Sequence, residues 1–332
     1  MLIGMTYDLK DDYLEAGYPA EAVAEFDSII TIDAIDHSLR QLGHQTVRIG
    51  NIKALVAFLA RGNRCDLVFN IAEGLHGLCR EAQIPALLDA YEIPYVFSES
   101  HILAITLHKG ITKAVVREQG VPTPDYTVIH DESEVEGVDL PFPLFLKPVG
   151  GGTGMGISAN SIVRDKGALS YVARLLLAEF KQPVLVETYL EGREFTVGIT
   201  GTREHARSMG VMEIVVDPSC DLGVYSYKTK QEYLEFAKYH LVEGDVALEC
   251  EKVALAAWNA LGCRDGGRID VKMDGQGRVN FLEVNPLAGL NPVDSDLPIL
   301  CRKGGISYHA LIERIMDSAL LRVGKATARC IS

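Results

Sequence analysis

The sequence predicts a protein of several domains, α/β in its first third and α+β in the remainder. The length of 332 residues exceeds the usual size of one domain, so two or three domains that share a cleft are expected. Short apolar runs alternate with helical stretches in the first third, which is typical of a parallel sheet flanked by helices. The last third has longer predicted strands and fewer helices.

The first third shows this alternation element by element. From Glu25 to Gly43, apolar residues recur at helical spacing, and the glycine is a good helix terminator. The next predicted elements are two buried strands at 45–49 and 66–70, with helices near 52–61 and 80–91.

The pattern changes at Gly120, where the run Val121-Pro-Thr-Pro124 interrupts regular structure. The strands predicted beyond it are 126–130, 144–147, 183–187, 194–200, 209–216, 268–273 and 279–284, and the helices are 166–180, 245–261 and 306–321. We therefore predict an N-terminal domain of residues 1–108, a central domain of 109–190 and a C-terminal domain of 191–332.

Composition and charge exclude several classes of protein. The formal net charge of −13 argues against a broad nucleic-acid interface, although a few lysines in a pocket can still bind a nucleotide. None of the seven cysteines forms a Cys-x-x-Cys pair, so neither a zinc site nor a disulfide framework is indicated. The first residues offer no long apolar run for a signal peptide or a membrane span. We expect a cytoplasmic protein without a membrane partner.

Polar residues around one C-terminal hairpin form the most informative pattern. Asp274-Gly-Gln-Gly277 is a strong turn between two apolar strands, and folding about it places Asp270 opposite Glu283. Asn285 lies two residues further and faces the same side of the sheet. Two carboxylates and an amide oxygen on one face suit Mg²⁺. A solvated polar face is the alternative, but like charges that face each other destabilise a sheet unless a cation lies between them.

A glycine-rich loop follows the predicted strand that carries Lys147. Glycine occurs at 150, 151, 152, 154 and 156, which lets backbone N–H groups wrap a phosphate chain and lets the loop close as a lid. The loop matches neither the Walker P-loop nor the G-x-G-x-x-G spacing. A flexible surface hairpin is the alternative; the lysine directly before the loop favours phosphate binding.

Two glutamates and a second lysine extend this nucleotide pattern. Glu187 ends a buried strand at a predicted domain junction, where it could bond an adenine amine, and Glu194 follows at ribose distance. Lys109, at the head of a helix, would supply a second cation for the phosphates. Each residue alone is more typical of a helix cap, a salt bridge or an exposed helix surface. Together they favour a site for ATP and magnesium.

These residues occur in the order found in the ATP-grasp superfamily, and the whole chain resembles the D-alanine–D-alanine ligase family within it. The phrases that carry the resemblance are Glu-Ile-Pro-Tyr-Val-Phe-Ser (92–98), Leu-Phe-Leu-Lys-Pro, Arg-Glu-Phe-Thr-Val, Gly-Arg-Ile-Asp-Val and Leu-Glu-Val-Asn-Pro. The resemblance implies a three-domain ATP-grasp fold with ATP between the central and C-terminal domains. It also implies an ATP-dependent carboxylate–amine ligase that acts on small amino acids, with a homodimer as the frequent assembly in this family.

The resemblance also implies a role for each matching residue. The implied ATP contacts are Lys109, Lys147, Gly151, Gly152, Thr153, Gly154, Glu187, Leu190, Glu194 and Lys230. The implied ligands of two Mg²⁺ ions, for which Mn²⁺ is a substitute, are Asp270, Glu283 and Asn285. The implied catalytic residues are Arg268, Lys230, Thr153 and Glu25. The implied substrate contacts are Glu25, Glu73, Gly289 and Asp294.

The residues expected around the substrates depart from the family's usual ones. Thr153 stands where the family has a serine, and Gln231 stands where a tyrosine follows the phosphate-binding lysine. Asp294 falls near the serine that binds the second substrate's carboxylate, and an acidic residue there suits a cationic or neutral acceptor. His76 is expected to be the histidine of the N-terminal His-Gly loop. These departures weigh against D-alanine as the acceptor.

The predicted reaction has two steps. The first substrate's carboxylate attacks the γ-phosphate of ATP, and the amine of the second substrate then attacks the acyl phosphate and expels phosphate. One alternative is an ATP-grasp ligase that joins a different amino-acid pair or a secondary-metabolite carboxylate and amine. Another is a nucleotide-binding regulator without catalysis, against which the complete metal triad argues. A dinucleotide-dependent dehydrogenase is disfavoured because its fingerprint is absent.

Overall fold

The computed structural model describes residues 1–152, 154–216 and 237–330, which form three sheets with flanking helices. Each sheet is built from one continuous part of the chain. Thr153, Lys230 and Gln231, which the sequence analysis singled out, lie outside the described residues.

The N-terminal sheet has three parallel strands. These are β1 (Leu2–Thr6), β2 (Gln45–Gly50) and β3 (Leu67–Asn70), in the order β2-β1-β3. The helices of this part are α1 (Lys10–Glu15), α2 (Ile29–Gln41), α3 (Ile52–Ala60), α4 (Gln83–Ala90) and α5 (Ser100–Leu107). The prediction that α2 begins at Glu25 was wrong by one turn: the backbone is still extended at Ser28, so Glu25 lies in the preceding loop.

The central sheet has four antiparallel strands. These are β4 (Tyr126–Ile129), β5 (Leu144–Pro148), β6 (Ile162–Val163) and β7 (Val184–Thr188), in the order β4-β7-β5-β6. Its helices are α6 (Lys109–Glu118) and α7 (Lys166–Phe180). The Asp165 carboxylate caps α7 by accepting a hydrogen bond from the Ala168 N–H.

The C-terminal sheet has five antiparallel strands. These are β8 (Glu194–Thr200), β9 (Arg207–Val216), β10 (Ala237–Val242), β11 (Gly266–Met273) and β12 (Val279–Asn285), in the order β10-β9-β8-β11-β12. Its helices are α8 (Asp245–Leu261), α9 (Asp296–Lys303) and α10 (Tyr308–Cys330). The sequence analysis missed α9, and α10 extends beyond the predicted end at 321.

The single tryptophan of the chain, Trp258, anchors α8 to the C-terminal sheet. Its side chain is fully buried, and its indole N–H donates to the Gly201 carbonyl at 3.2 Å. Gly267 lies against the ring, where a Cβ atom would come within 2.8 Å of it. Any larger residue would therefore push β11 away from the helix.

Apolar packing joins the first and third sheets and leaves the central sheet with a core of its own. One buried cluster contains Ile3 and Phe69 together with Leu297 and Ile315. The core of the central sheet is a separate cluster around Leu146, Leu169 and Leu176. No helix among the described residues is long and apolar enough to cross a membrane.

Candidate active site

The hairpin β11–β12 has the register that the sequence predicted. Asp270 pairs with Glu283 and Arg268 with Asn285 in the antiparallel ladder. The turn is closed by the Gly277 N–H, which donates to the Asp274 carbonyl at 3.0 Å, and Gly277 has a positive φ of 79°. Both acidic side chains and the asparagine are therefore brought together.

Asp270 is buried and tightly held. The Arg268 Nη1 atom lies 2.7 and 2.8 Å from the two carboxylate oxygens, and the Asn285 Nδ2 atom donates to Oδ2 at 3.2 Å. Burial raises the pKa of Asp270 to about 6; the Arg268 guanidinium opposes the rise and the Glu283 carboxylate adds to it. The Asp270 and Glu283 carboxylates are therefore close enough to repel each other, and Arg268 offsets part of that repulsion.

This donor set suits a divalent cation that is shared with a ligand. Within the described residues, no three His, Cys, Asp or Glu side chains lie close enough to hold a metal ion by themselves. Asp270, Glu283 and Asn285 supply hard oxygen atoms from two carboxylates and one amide. Mg²⁺ commonly takes one or two carboxylates and completes its six positions with phosphate and water oxygens. The hairpin fits an ion bound in that way.

Glu187 is held between two lysines. Its carboxylate lies 3.0 Å from the Lys147 Nζ atom and 2.8 Å from the Lys113 Nζ atom. Lys113 is completely buried, and Lys147 and Glu187 are at most 5% exposed. Burial alone would raise the pKa of Glu187, but the two ammonium groups hold it below its usual range. The Glu187 side chain, which we predicted to bond adenine, is thus engaged by lysines.

Lys113 also connects the central sheet to the C-terminal sheet. Its ammonium group donates to the Thr123 hydroxyl at 3.0 Å, and that hydroxyl donates to the Phe281 carbonyl of β12 at 2.9 Å. The Phe281 N–H in turn donates to the Pro122 carbonyl at 2.7 Å. Burial lowers the pKa of Lys113 to about 8, although Glu187 opposes the change. Lys113 therefore supports the strands that carry both Lys147 and Glu283.

Glu194 and Leu190 lie beside this cluster in the chain. The Glu194 carboxylate is 2.8 Å from the Lys272 ammonium group, which lies 5.5 Å from the centre of the Tyr189 ring. Leu190 is buried. The arrangement offers an apolar surface and a charged pair, as an adenosine site would need.

Lys109 bridges the glycine-rich loop and the hairpin. Its ammonium group donates to the Gly151 carbonyl at 2.6 Å and lies 3.6 Å from the Glu283 carboxylate. Gly151 and Gly154 have φ angles of 113° and 71°, which residues with side chains rarely adopt. The loop conformation therefore depends on these glycines.

Carboxylates from the N-terminal part form the opposite side of the site. Glu25 accepts a hydrogen bond from the Gly152 N–H at 2.5 Å and lies 2.6 Å from the Arg80 guanidinium. Glu81 is buried and lies 3.9 Å from the same guanidinium. The glycine-rich loop thus reaches across to a residue that we predicted to bind substrate.

A cavity of about 280 Å³ lies between these parts. The predicted site residues that line it are Glu25, Glu73, Lys109, Gly151, Gly152, Arg268, Glu283, Asn285, Gly289 and Asp294. The predicted residues outside this lining are Lys147, Gly154, Glu187, Leu190, Glu194 and Asp270. The cavity is lined by Glu73 rather than by His76, which is exposed, so the expected histidine does not reach it.

The charged residues of the site that the sequence analysis did not single out include Lys113, Lys272, Glu81 and Asp296, together with Lys10 and Asp27 of the cavity lining. Asp296 is buried and its carboxylate lies 3.4 Å from Arg268. For Lys113, the sequence signal was helical spacing, because this lysine lies four residues after Lys109 and three before the buried Val116.

Comparison with known proteins decides the family. The family described as the D-ala D-ala ligase C-terminus matches residues 115–317. The D-alanine–D-alanine ligase of Bordetella avium is 34% identical over 77% of this chain and 79% of its own length. This chain belongs to the D-alanine–D-alanine ligase family. The ligase of Aquifex aeolicus is 30% identical over 87% of this chain and 94% of its own.

A solved structure shows that the fold is the three-domain ATP-grasp fold. The D-alanine–D-alanine ligase of Bacillus anthracis, in complex with ATP, aligns with a TM-score of 0.72 and 22% identity over 98% of this chain and 99% of its own. This family member is therefore an ATP-dependent ligase that forms an amide bond.

Proposed function

We propose that this chain joins two amino acids by activating the carboxylate of the first as an acyl phosphate. D-alanine, named in the relatives' descriptions, is the reference substrate. The observation that carries the proposal is the Asp270–Glu283 pair: Glu283 lines the cavity with Lys109 and Arg268, and Arg268 holds Asp270 directly behind it. Phosphoryl transfer depends mainly on positioning and on neutralising charge, and this arrangement supplies both.

Asp270, Glu283 and Asn285 would hold Mg²⁺, or Mn²⁺ in its place. The ion would neutralise charge on the phosphates of ATP when it is bound. Lys109 and Lys147 would contact the phosphates together with Gly151, Gly152 and Gly154. Because Arg268 lies between the Asp270 and Asp296 carboxylates, its guanidinium is fixed where it can steady the transferring phosphate. By resemblance, Lys230 and Thr153 would add further phosphate contacts.

Glu187, Leu190 and Glu194 would hold the adenosine, the last through the ribose. Glu25 would anchor the ammonium group of the first substrate, with Glu73, Gly289 and Asp294 near the two amino acids. The hydrogen bond between Glu25 and the Gly152 N–H supports this arrangement, because it brings the lid close to the amino-acid site. A closed lid would protect the acyl phosphate from water.

The organisation of the protein completes the proposal. The domains would span 1–108, 109–190 and 191–332, with each sheet in one of them. We expect a cytoplasmic homodimer whose ligands are small molecules, with no nucleic-acid or membrane partner.

The test is Glu283→Gln, with ATP-dependent phosphate release and product mass measured for D-alanine and a panel of amino-acid pairs. The variant loses a metal-binding charge, so turnover should fall by at least 100-fold. The control is Glu243→Gln, an exposed residue before α8, which should retain wild-type turnover. Near-normal phosphate release by Glu283→Gln would refute the metal assignment, and wild-type protein without turnover on any pair would refute the ligase proposal.

A further inference from the structure

Glu73 is a carboxylate that faces the cavity without a hydrogen-bonding partner. It lines the cavity and is partly buried. Within the described part of the chain, it forms no hydrogen bond and no ion pair, whereas Glu25 is bonded to Arg80 and the Gly152 N–H. A desolvated carboxylate is costly unless something pairs with it. An acidic side chain that faces an active-site cavity without an ion pair therefore indicates a ligand with a positively charged group.

The surroundings of Glu73 are strongly acidic. The carboxylate residues that line the cavity are Glu25, Asp27, Glu73, Glu81, Glu283, Asp294 and Asp296. The cationic residues that line it are Lys10, Lys109 and Arg268. Burial raises the pKa of Glu73 well above its ordinary value, and the neighbouring Glu81 and Glu25 raise it further, while Arg80 opposes them. Carboxyl groups therefore outnumber cationic groups in the lining, even after Glu283 is assigned to a metal ion.

We propose that Glu73 determines substrate specificity by binding a positively charged side chain of an amino-acid substrate. The preferred substrate class is then an α-amino acid with a second ammonium group. This inference rests on the proposed ligase function and names the substrate class of the same cavity. Arg80 forms its close ion pair with Glu25 and, among the described residues, none with Glu73, so the Glu73 carboxyl group remains open to a cationic ligand.

Two further carboxyl groups of the cavity also favour a cationic ligand. Asp294 and Asp27 both line it, and burial raises the pKa of Asp27 to about 7, with the Asp294 carboxylate adding to the rise. A ligand that carried only additional negative charge would be repelled by these groups, whereas a second ammonium group would be attracted.

The experiment compares isosteric pairs of amino acids in both enantiomers. Ornithine is matched with norleucine, and 2,4-diaminobutyrate with norvaline, so that each pair differs in an ammonium group that replaces a methyl group. The kcat/KM for ATP-dependent phosphate release is measured at pH 7 for wild type, Glu73→Gln and the control Glu21→Gln, an exposed residue outside the cavity. Calorimetric binding of the same amino acids is measured on the three proteins.

The wild type should prefer the cationic member of a pair by at least tenfold. Glu73→Gln should lower kcat/KM for that member about tenfold more than for the neutral member, while Glu21→Gln behaves as wild type. Equal use of both members by the wild type, or an equal loss for both in Glu73→Gln, would overturn the inference.

The two proposals fail in different ways. Turnover of D-alanine without any preference for a cationic partner would overturn only the specificity of Glu73. Absence of phosphate release with every amino acid would overturn the ligase proposal. Calorimetry would still test Glu73 in that case, since the cationic member should bind more tightly to wild type than to Glu73→Gln, and equal binding would refute the inference.

Discussion

The two ends of the site neutralise their buried carboxylates differently. At the nucleotide end, Glu187 lies between Lys113 and Lys147, and both distances are 3.0 Å or less. At the N-terminal end, Glu25 and Glu81 share the guanidinium of Arg80, and Glu73 has no ion pair within the described residues. Glu187 is therefore fully compensated by its lysines. The carboxyl groups of the N-terminal end outnumber their cationic partners.

The largest expected effect on stability comes from removing one of the two lysines that hold Glu187. In Lys113→Met, Glu187 keeps only one of its two lysines in a fully buried place. The variant loses the charge-assisted hydrogen bond from Lys113 to Glu187 and the bond from Lys113 to Thr123, so the free energy of unfolding in urea should fall by about 3–4 kcal/mol. Lys53→Met, at an exposed position on α3, is the control and should change little. A loss below ~1 kcal/mol for Lys113→Met would show that Glu187 is neutralised in another way.

Removing a carboxylate at the N-terminal end should instead raise the stability of the protein at high pH. Burial raises the pKa of Glu81 from 4.5 to about 7, so the folded protein binds more protons than the unfolded chain between these values. Stability from this group is therefore lost as pH rises from 4.5 to 7. Glu81→Gln should be more stable than wild type by on the order of 2–3 kcal/mol at pH 8 and equal to it near pH 4.

Thermal or urea unfolding across this pH range measures the difference. Glu15→Gln, an exposed residue at the end of α1, should show no such trend. A Glu81→Gln protein that is less stable than wild type at pH 8 would mean that the carboxylate is stabilised by Arg80 more strongly than burial destabilises it.

The smallest expected effect concerns the link between the two sheets. Thr123→Val removes the hydroxyl that accepts from Lys113 and donates to the Phe281 carbonyl. A buried hydrogen bond contributes about 1 kcal/mol, with more lost when a partner stays unpaired, so destabilisation of about 1–2 kcal/mol is expected. Thr127→Val on β4 is the matched control. Equal stability of the two variants would show that this hydroxyl does not stabilise the junction.

Local sequence patterns were enough to predict the hairpin register and the bounds of several helices. The hairpin turn predicted that Asp270 pairs with Glu283, which the ladder confirms, because a tight turn fixes the register. Helices α7 and α8 have the predicted bounds since their apolar spacing and flanking residues agree. The start of α2 was misplaced because apolar spacing continues into the loop before Ser28.

Charged partners that are distant in sequence could not be predicted. Lys113 meets Glu187 across 74 positions, and nothing local distinguishes it from an exposed helical lysine. Glu73 and His76 lie three residues apart in one loop, and only the folded path shows which of them lines the cavity. The residues that we propose to bind ATP and a metal ion were easier to single out, because their types and order form a recognisable series.

The burial of Trp258 gives this protein a built-in spectroscopic probe. With one indole in the chain, intrinsic emission reports mainly on the packing of α8 against the C-terminal sheet, in a cluster that also contains Ile102 of α5 and Val116 of α6. Circular dichroism follows the secondary structure of all three sheets and their helices. If the fluorescence and dichroism transitions separate during denaturation, the sheets unfold independently, and coincident transitions indicate that they unfold as one cooperative unit.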